Sequence, residues 1–353
     1  MAVRLRRVDP SEPGISRRGR GRGFEYLDPG GEQIDDEETL ARIRELAIPP
    51  AWREVWISPH PGGHIQATGL DDRGRKQYLY HQRWREQQDR AKFDEMLDFA
   101  RVLPRVRERI SADLGGRRMT RERVLACALR LLDRHSFRVG GEEYAAENDS
   151  FGLATLRKDH VTVSDRTITI DYRGKSGKRL VRSFSDPEIH DVMRSLRRRR
   201  GGGGPELLAY RGRRGWVDLR SEDINEYVKE VAGAGFSAKD FRTWHATVLA
   251  ALALAVAGPA AQASATARKR AKTRAVKEVA RYLANTPAVA RESYIDPRVF
   301  DRYDAGVTIE PALGGLVSGD DIGAPGVQPA LEAAVMDLIA HPGDSELVGR
   351  VAS

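Results

Sequence analysis

The chain has 353 residues, of which 40% are hydrophobic, and its 59 Lys and Arg against 51 Asp and Glu give a formal charge of +8. This length suffices for two domains with at least one substantial core, and the charge favours a polyanionic partner. One cysteine, Cys127, excludes a disulfide framework and a Cys/His metal cluster, and no apolar run reaches the roughly 20 residues of a membrane-spanning helix, so we expect a cytoplasmic protein without membrane contact.

The first 80 residues predict a basic arm followed by a small β-rich domain. Residues 1–23 hold seven arginines among Gly, Pro and Ser, which is typical of a flexible arm. From residue 24 to residue 80, short apolar pieces alternate with turn signals, which indicates an N-terminal domain rich in strands. The predicted elements are strands at 54–58, 63–68 and 77–80 and a helix at 36–47.

Residues 81–92 predict a polar helical connector, and residues 93–309 predict a second, mainly helical domain. Apolar side chains there recur with a period near 3.6. The predicted helices are 93–110, 120–134, 186–199, 221–232, 240–257 and 274–284, with a further helix that begins at Thr286-Pro287. Between them, residues 161–163, 167–170 and 179–184 alternate as a three-stranded antiparallel meander. The predicted fold class is therefore α+β.

The C-terminal residues differ in charge from the rest of the chain. Residues 310–353 carry seven acidic side chains against Arg350 alone, which leaves a net charge of +14 on residues 1–309. This part is rich in Gly and Pro, with one amphipathic stretch at 329–339. We predict an acidic C-terminal tail.

Five polar side chains match the needs of metal-free attack on a phosphodiester. Two guanidiniums can hold the oxygens of a pentavalent phosphorus, and a tyrosine hydroxyl can form a covalent phosphoester. A lysine can protonate the leaving oxygen, and a carboxamide can add one hydrogen bond. The candidates are Arg138, Lys175, Arg242, Asn285 and Tyr294.

Each candidate taken alone also fits an ordinary structural role. Arg138 fits a surface ion pair, Arg242 fits a solvated first turn of a helix, and Tyr294 fits a core position. Lys175 lies at a predicted hairpin tip, where Lys178 is a close rival. The combination of residue types therefore carries the prediction.

Four segments around these candidates resemble the type IB DNA topoisomerases of poxviruses and bacteria. They are residues 137–156, 174–178, 239–244 and 285–294, in the order of the family, and the resemblance covers residues 24–303. It implies that Tyr294 attacks phosphorus to form a 3′-phosphotyrosyl link, while Arg138 and Arg242 stabilise the transition state. It also implies that Lys175 protonates the departing 5′ oxygen.

The resemblance departs from the common family pattern at Asn285. Many members have histidine at this position, although bacterial members can have asparagine. An amide donates a hydrogen bond but does not shuttle protons. Helix capping alone would also explain this residue, because it precedes the predicted helix start at Thr286.

Residues 71–80 resemble a family segment that contacts DNA. By this match Arg75, Gln77, Tyr78 and Tyr80 are expected DNA contacts. Arginine binds phosphate or guanine, glutamine pairs with adenine, and tyrosine hydroxyls bind phosphate. A core position in an alternating strand remains the alternative for Tyr80.

The resemblance implies a small β-sheet domain and a mainly α-helical catalytic domain that close as a clamp around double-stranded DNA. We expect a monomeric, nucleoid-associated enzyme that needs no metal, cofactor or ATP. We also hypothesise that the acidic tail shields the basic surface when DNA is absent, which a truncation that leaves DNA affinity unchanged would contradict.

Two other functions fit parts of the same pattern. A tyrosine recombinase or integrase uses similar residues, but it typically has histidine where this chain has Lys239, and its N-terminal domain is usually helical. A catalytically inactive DNA-binding protein would share only the basic surface. Replacement of Tyr294 by Phe separates an enzyme from this last alternative, because only an enzyme loses a covalent adduct.

Overall fold

The structure is a computed structural model that describes residues 4–21, 23–258, 262–314, 327–341 and 345–350. The chain divides into two compact units, Met1–Asp94 and Glu95–Ser353. None of the described helices combines the length and the apolar character needed to cross a bilayer.

The first unit is built on a five-stranded antiparallel sheet with strand order β2-β1-β3-β4-β5. Its elements are β1 (Ile15–Arg20), β2 (Gly23–Leu27), α1 (Glu37–Glu45), β3 (Arg53–Ile57), β4 (Ile65–Leu70) and β5 (Lys76–Tyr80). Helix α1 begins where the Asp36 carboxylate accepts a hydrogen bond from the Thr39 amide at 2.8 Å. The expected helix and the three expected strands are confirmed.

The core of the first unit lies between the sheet and α1. Apolar side chains from β1, β3, β4 and α1 are buried there, namely Ile15, Val55, Ile57, Ala67 and Ile43. Alternation along each strand places these side chains on one face, and their removal from water stabilises the sheet.

The basic N-terminal segment differs from the expected flexible arm. Residues Ile15–Arg20 form β1, which lies between β2 and β3 in the sheet. Ile15 is buried in the core and pairs with Ile57, while the rest of β1 pairs with β2. The strand forms because its backbone has hydrogen-bonding partners on both sides and an apolar anchor. Arg22 lies outside the described residues.

The second unit is mainly helical. Its helices are α2 (Gln82–Leu114, which begins in the first unit), α3 (Arg121–His135), α4 (Glu142–Asn148), α5 (Pro187–Arg198), α6 (Ser221–Ala232), α7 (Ala238–Val256), α8 (Ala265–Leu283), α9 (Pro287–Ser293), α10 (Pro297–Asp304), α11 (Glu310–Gly314) and α12 (Val327–Ala340). Helices α3 and α7 are buried along most of their length and pack against each other at the centre. The expected helix at 274–284 begins already at Ala265, because Ser264 caps it through the Ala267 amide.

The strands of the second unit form three small sheets. They are β6 (Val161–Val163), β7 (Ile168–Arg173), β8 (Arg179–Phe184), β9 (Ala209–Gly212), β10 (Gly215–Asp218), β11 (Val307–Thr308) and β12 (Gly349–Arg350). The antiparallel sheet β6-β7-β8 confirms the predicted meander. The hairpin β9-β10 was not predicted, because its strands are short and contain glycine at both ends of the turn.

The C-terminal residues also differ from the expected acidic tail. Helix α12 buries Leu331, Val335 and Leu338, and it packs against α7 and α10. Its Glu332 is buried and forms a bidentate ion pair with Arg107. Apolar side chains at helical spacing thus hold this segment on the second unit, and a paired carboxylate adds little negative surface. The tail residues Asp320, Asp321 and Asp344 lie outside the described residues.

Candidate active site

Arg138 follows helix α3 in a segment without regular secondary structure that is fixed by its neighbours. Ser136 ends the helix with a left-handed backbone (φ 51°). The carbonyl of Arg138 then accepts a hydrogen bond from the Leu153 amide at 2.9 Å. Gly140 (φ +80°) packs against Gly152 so closely that a Cβ on Gly140 would lie 2.7 Å from the Gly152 Cα. These contacts hold the Arg138 backbone against the turn at 152–155.

Arg242 lies in the first turns of α7 and is buried, with 4% of its surface exposed. Its Nη1 donates to the Ser136 carbonyl at 2.6 Å, and its Nη2 donates to the Leu283 carbonyl at 2.9 Å. Its Nε is also buried and has no hydrogen-bond partner in the part of the chain that the structure describes. One guanidinium therefore joins the ends of α3 and α8 and keeps one buried donor unused.

The charge of Arg242 is set by its surroundings. Burial and the nearby positive charge of Arg138 lower the pKa of Arg242 to about 10, although the phenol of Tyr294 opposes part of this shift. The group remains a cation at neutral pH. Because a buried cation lacks water, an anion bound beside Arg242 would be strongly stabilised.

Asn285 lies just after α8, where Ala284 has a left-handed backbone (φ 52°) and turns the chain. The Asn285 side-chain oxygen accepts a hydrogen bond from Arg138 Nη2 at 2.5 Å. Its Nδ2 is buried and has no partner among the described residues. Asn285 therefore orients Arg138 and also presents a second unused donor.

Tyr294 ends the short helix α9, beside Arg242. The Cζ atom of Arg242 lies 5.3 Å from the centroid of the Tyr294 ring. The Tyr294 residue is half-buried. The structure thus links four of the five predicted residues through the Arg138–Asn285 hydrogen bond and the Arg242–Tyr294 contact.

Lys175 is not brought into contact with these four residues. It lies in the turn between β7 and β8, and its side chain is exposed. Within the described ranges, neither Lys175 nor its rival Lys178 has a hydrogen bond or an ion pair to a side chain. The expected role of Lys175 therefore remains a prediction.

The predicted DNA contacts of the first unit divide between the two faces of β5. Tyr78 and Tyr80 share the exposed face, each 40% exposed, and their rings stack with centroids 6.0 Å apart. Gln77 points to the opposite face, where its amide donates to Asp71 at 2.9 Å. Arg75 binds the same carboxylate at 2.7 Å and helps to lower the pKa of Asp71 to about 2.

This arrangement follows from strand geometry. Successive side chains of a strand point to opposite faces, so Gln77 cannot share a surface with its neighbour Tyr78. The stacked tyrosines form the exposed aromatic surface of β5, whereas Gln77 and Arg75 are engaged by Asp71. A DNA contact by Arg75 or Gln77 would therefore compete with Asp71.

Both units match known families. Residues 81–308 match the family described as "Eukaryotic DNA topoisomerase I, catalytic core", and residues 23–71 match "Bacterial DNA topoisomerase IB, N-terminal domain". The DNA topoisomerase 1B of Acanthamoeba polyphaga mimivirus is 32% identical over 304 residues, which cover 82% of this chain and 87% of the viral protein. The chain belongs to the type IB DNA topoisomerases. It is therefore an isomerase that acts on DNA.

Two further relatives match this type IB topoisomerase over different lengths. DNA topoisomerase 1 of rabbit fibroma virus is 22% identical over 79% of this chain and 89% of the viral protein. DNA topoisomerase 1 of Schizosaccharomyces pombe is 28% identical over 46% of this chain, but that match spans only 19% of the yeast protein. These matches name topoisomerases and not the recombinases considered as an alternative.

Arg182 is a residue of this topoisomerase that the sequence analysis missed. It lies on β8, donates to the Tyr282 carbonyl, and has its Cζ 5.4 Å from the Tyr282 ring centroid. Its charge contributes to the lowered pKa of Arg242, after burial and Arg138. A signal was present, because Arg182 occupies the same face of β8 as the apolar Leu180 and Phe184.

Proposed function

We propose that this enzyme relaxes supercoiled duplex DNA by cutting and rejoining one strand through Tyr294. The Tyr294 hydroxyl oxygen attacks the phosphorus and passes its proton to solvent water, and the bond between phosphorus and the 5′ oxygen breaks. The departing oxygen takes a proton from Lys175. The 3′-phosphotyrosyl ester retains the energy of the broken bond, so the reverse reaction reseals the strand without ATP.

The contact between Arg242 and Tyr294 carries this proposal. A phosphate within reach of the Tyr294 hydroxyl would lie beside a buried guanidinium. The Arg242 guanidinium has five N–H donors, and two of them bind the backbone carbonyls of Ser136 and Leu283. Its Nε–H, which has no partner among the described residues, and the N–H groups that do not bind these carbonyls can therefore hold the oxygens of the pentavalent phosphorus. Arg138 and the Nδ2 of Asn285, which has no partner among the described residues, would supply further donors.

The hairpin that carries Lys175 begins near Arg138 and Arg242. Tyr172 on β7 is buried, and the charges of Arg138 and Arg242 act to lower its pKa against the larger effect of burial. Lys175 begins the turn at the end of β7, and its side chain has no hydrogen bond or ion pair within the described ranges. This location supports Lys175 as the proton donor once DNA is bound.

The exposed face of β5 is the part of the first unit that we propose to contact DNA. Stacked tyrosines with an adjacent lysine suit a phosphate backbone, because phenol hydroxyls and an ammonium both donate to phosphate oxygens. Lys76 lies 5.8 Å from the Tyr78 ring centroid and completes this surface. We propose that Arg75 and Gln77, which do not lie on this face, contact DNA only when they leave Asp71.

The first test is relaxation of negatively supercoiled plasmid in EDTA without ATP. We expect full relaxation, and rapid denaturation should trap a protein–DNA adduct whose attached peptide contains Tyr294. The variant Tyr294→Phe should keep the DNA affinity of the wild type and form no adduct, because it loses only the nucleophile.

Three results would contradict the proposal: a requirement for a divalent metal or ATP, an adduct on another residue, or relaxation by Tyr294→Phe. Strand exchange between two defined duplexes would instead indicate a recombinase. The role of Lys175 is tested separately with a 5′-bridging sulfur in place of oxygen. A thiolate leaves without a proton, so this substrate should restore cleavage to Lys175→Ala.

A further inference from the structure

Helix α7 contacts the backbone around Tyr294 as well as carrying Arg242. Thr247 lies five residues after Arg242 and is fully buried. Its Oγ1 accepts a hydrogen bond from the Asp296 amide at 3.1 Å and lies 3.3 Å from the Tyr294 carbonyl oxygen. It also lies 3.0 Å from the carbonyl oxygen of Thr243.

The Thr247 hydroxyl has one proton, so the carbonyls of Thr243 and Tyr294 and the Met96 sulfur, which lies 3.5 Å from Oγ1, share a single donor. Bonding to the carbonyl four residues earlier is common for threonine in helices. The lone pair that receives the Asp296 amide is occupied in every case. Thr247 therefore contacts the chain on both sides of Ile295, directly after the proposed nucleophile.

The backbone at Tyr294 depends on such contacts. Tyr294 ends α9 with φ −130° and ψ −25°, so its conformation is outside the helix. On its N-terminal side, the Tyr294 amide donates to the Ala290 carbonyl at 3.2 Å. On its C-terminal side, Ile295 and Asp296 are buried, and Asp296 caps α10. Thr247 attaches this C-terminal side to α7 by hydrogen bonds.

We propose that Thr247 is a positioning residue that sets where the Tyr294 hydroxyl lies relative to the Arg242 guanidinium. This inference rests on the function proposed above. Helix α7 carries the guanidinium on Arg242. The same helix holds the backbone of the nucleophile, because the Thr247 hydroxyl contacts the backbone of Tyr294 and Asp296. Attack on phosphorus depends steeply on such placement, because a displacement of about 1 Å can slow a reaction ~100-fold.

The test measures the single-turnover rate constant of adduct formation at saturating DNA. The substrate is a duplex that releases a short 5′ fragment, so that resealing does not compete. Thr247→Val removes the hydroxyl but keeps the shape of the side chain. We expect it to lower the rate constant on the order of 10-fold to 100-fold with an unchanged dissociation constant for DNA.

Thr247→Ser and Thr243→Val are the matched controls. Thr247→Ser keeps the hydroxyl and should stay close to the wild-type rate constant. Thr243 has the same residue type on the same helix and is also buried, but its hydroxyl bonds only to the Lys239 carbonyl among the described residues. Thr243→Val should therefore react at the wild-type rate, which separates the Tyr294 contact from general loss of a helix hydroxyl.

Two readouts distinguish positioning from mere loss of folded enzyme. Partial unfolding lowers the fraction of enzyme that reacts, whereas misplacement lowers the rate constant of the fraction that reacts. A 5′-bridging sulfur should rescue Lys175→Ala but leave Thr247→Val slow, because a better leaving group does not restore the position of a nucleophile. If Thr247→Val does not fold, Thr247→Ala removes the same hydroxyl, and we expect the same decrease in the rate constant.

The inference is overturned if Thr247→Val has the wild-type rate constant, if Thr247→Ser is as slow as Thr247→Val, or if Thr243→Val is equally slow. Failure of the wild type to form an adduct on Tyr294 would remove the proposed function itself. A normal wild-type adduct with an unaffected Thr247→Val would remove only the role of Thr247.

Discussion

Asn285 shows how a neutral side chain can serve a site where a charged or titrating one is expected. Its oxygen holds Arg138 at 2.5 Å, and its Nδ2 is buried without a partner among the described residues. An unused buried donor is costly unless a ligand completes it. A phosphate oxygen is an acceptor that fits both this donor and the nearby guanidiniums.

Replacement of Asn285 by Ala should slow adduct formation on the order of 10-fold to 100-fold, since a hydrogen bond to a charged group contributes about 1.5–3 kcal/mol. Noncovalent DNA affinity should change little. The measurement is the single-turnover rate constant with saturating duplex.

Asn285→His provides the matched comparison. An amide does not titrate, so position 285 should add no inflection to the wild-type pH–rate profile. The histidine variant should add one below the ordinary histidine pKa of about 6.5, because burial and the nearby arginines disfavour a charged imidazole. A wild-type inflection that disappears in Asn285→Ala would contradict a purely hydrogen-bonding role.

At the scale of elements, two arginines cap the end of helix α8 at the site. Arg182 donates to the carbonyl of Tyr282, and Arg242 donates to the carbonyl of Leu283. The last carbonyls of a helix lack partners within the helix and attract positive charge. The helix end is thereby fixed beside Asn285, and the direction of the chain toward α9 follows from it.

Helix α12 belongs to the second unit through a buried ionic cluster. Arg107 on α2 binds both Asp133 on α3 and Glu332 on α12, each with two hydrogen bonds. His245 on α7 lies 3.3 Å from the same Asp133 carboxylate. The cluster therefore connects α12 with α3, which precedes Arg138, and with α7, which carries Arg242.

Glu332→Gln should lower the free energy of unfolding by about 2 kcal/mol, because it weakens hydrogen bonds to a charged and mostly buried guanidinium. The measurement is the urea midpoint at constant slope. The control is Asp98→Asn, whose ion pair with Arg101 is exposed and should contribute little. Equal effects of the two substitutions would contradict an anchoring role of α12.

The same cluster bears on the hypothesis of a shielding tail. A carboxylate that is already paired with Arg107 has little charge to offer to a basic surface elsewhere. Asp337 is likewise engaged, since it accepts a hydrogen bond from the Ser345 hydroxyl at 2.6 Å. We therefore expect that removal of α12 and the described residues after it would mainly lower the stability of the second unit.

At the scale of the whole molecule, the balance of charge determines how the protein responds to acid. At neutral pH the 51 carboxylates offset most of the 59 basic side chains. Asp133 and Asp186 are among the carboxylates that are buried beside cations. Burial alone would raise the pKa of both carboxyls. Contacts with His245 and Arg107 outweigh this effect and lower the pKa of Asp133, and contacts with His135 and Arg130 lower the pKa of Asp186 in the same way.

The stability of the protein should therefore fall steeply below about pH 4, the ordinary range of an unfolded aspartate pKa. A carboxyl with a lower pKa in the folded state stabilises the fold above its unfolded pKa, and this contribution is lost as the pH falls. Protonation also leaves the positive charges to repel one another. The measurement is the thermal midpoint between pH 7 and pH 3.

Asp133→Asn should be less stable than the wild type at pH 7 and should lose less stability on acidification. The pH dependence that remains in the stability of this variant comes from the other carboxyl groups. Parallel curves for the two proteins would show that Asp133 does not contribute through its charge.

Much of the local structure was predictable from the sequence, because it depends on neighbours along the chain. The meander β6-β7-β8 and the α9 start at Pro287 are both local patterns, and each is confirmed. The types of side chain at the candidate site were also readable, since Arg, Asn and Tyr have characteristic chemistry wherever they lie.

Contacts between distant segments were decided by the tertiary structure. The basic segment at Ile15–Arg20 became a strand because it found partners on both sides, and α12 packed because its apolar stripe met α7 and α10. Thr247 and Arg182 acquired their contacts from chain segments far away in sequence.

The family, most of the elements and the candidate side chains could thus be inferred from the sequence alone. Only the tertiary structure decided that Arg138 meets Asn285, that Arg242 meets Tyr294, and that Lys175 stays on an exposed turn without a bonded partner among the described residues. The physical reason is that periodicity and capping report neighbours a few residues apart. The site is formed by packing that joins the ends of α3 and α8 to one buried guanidinium on α7.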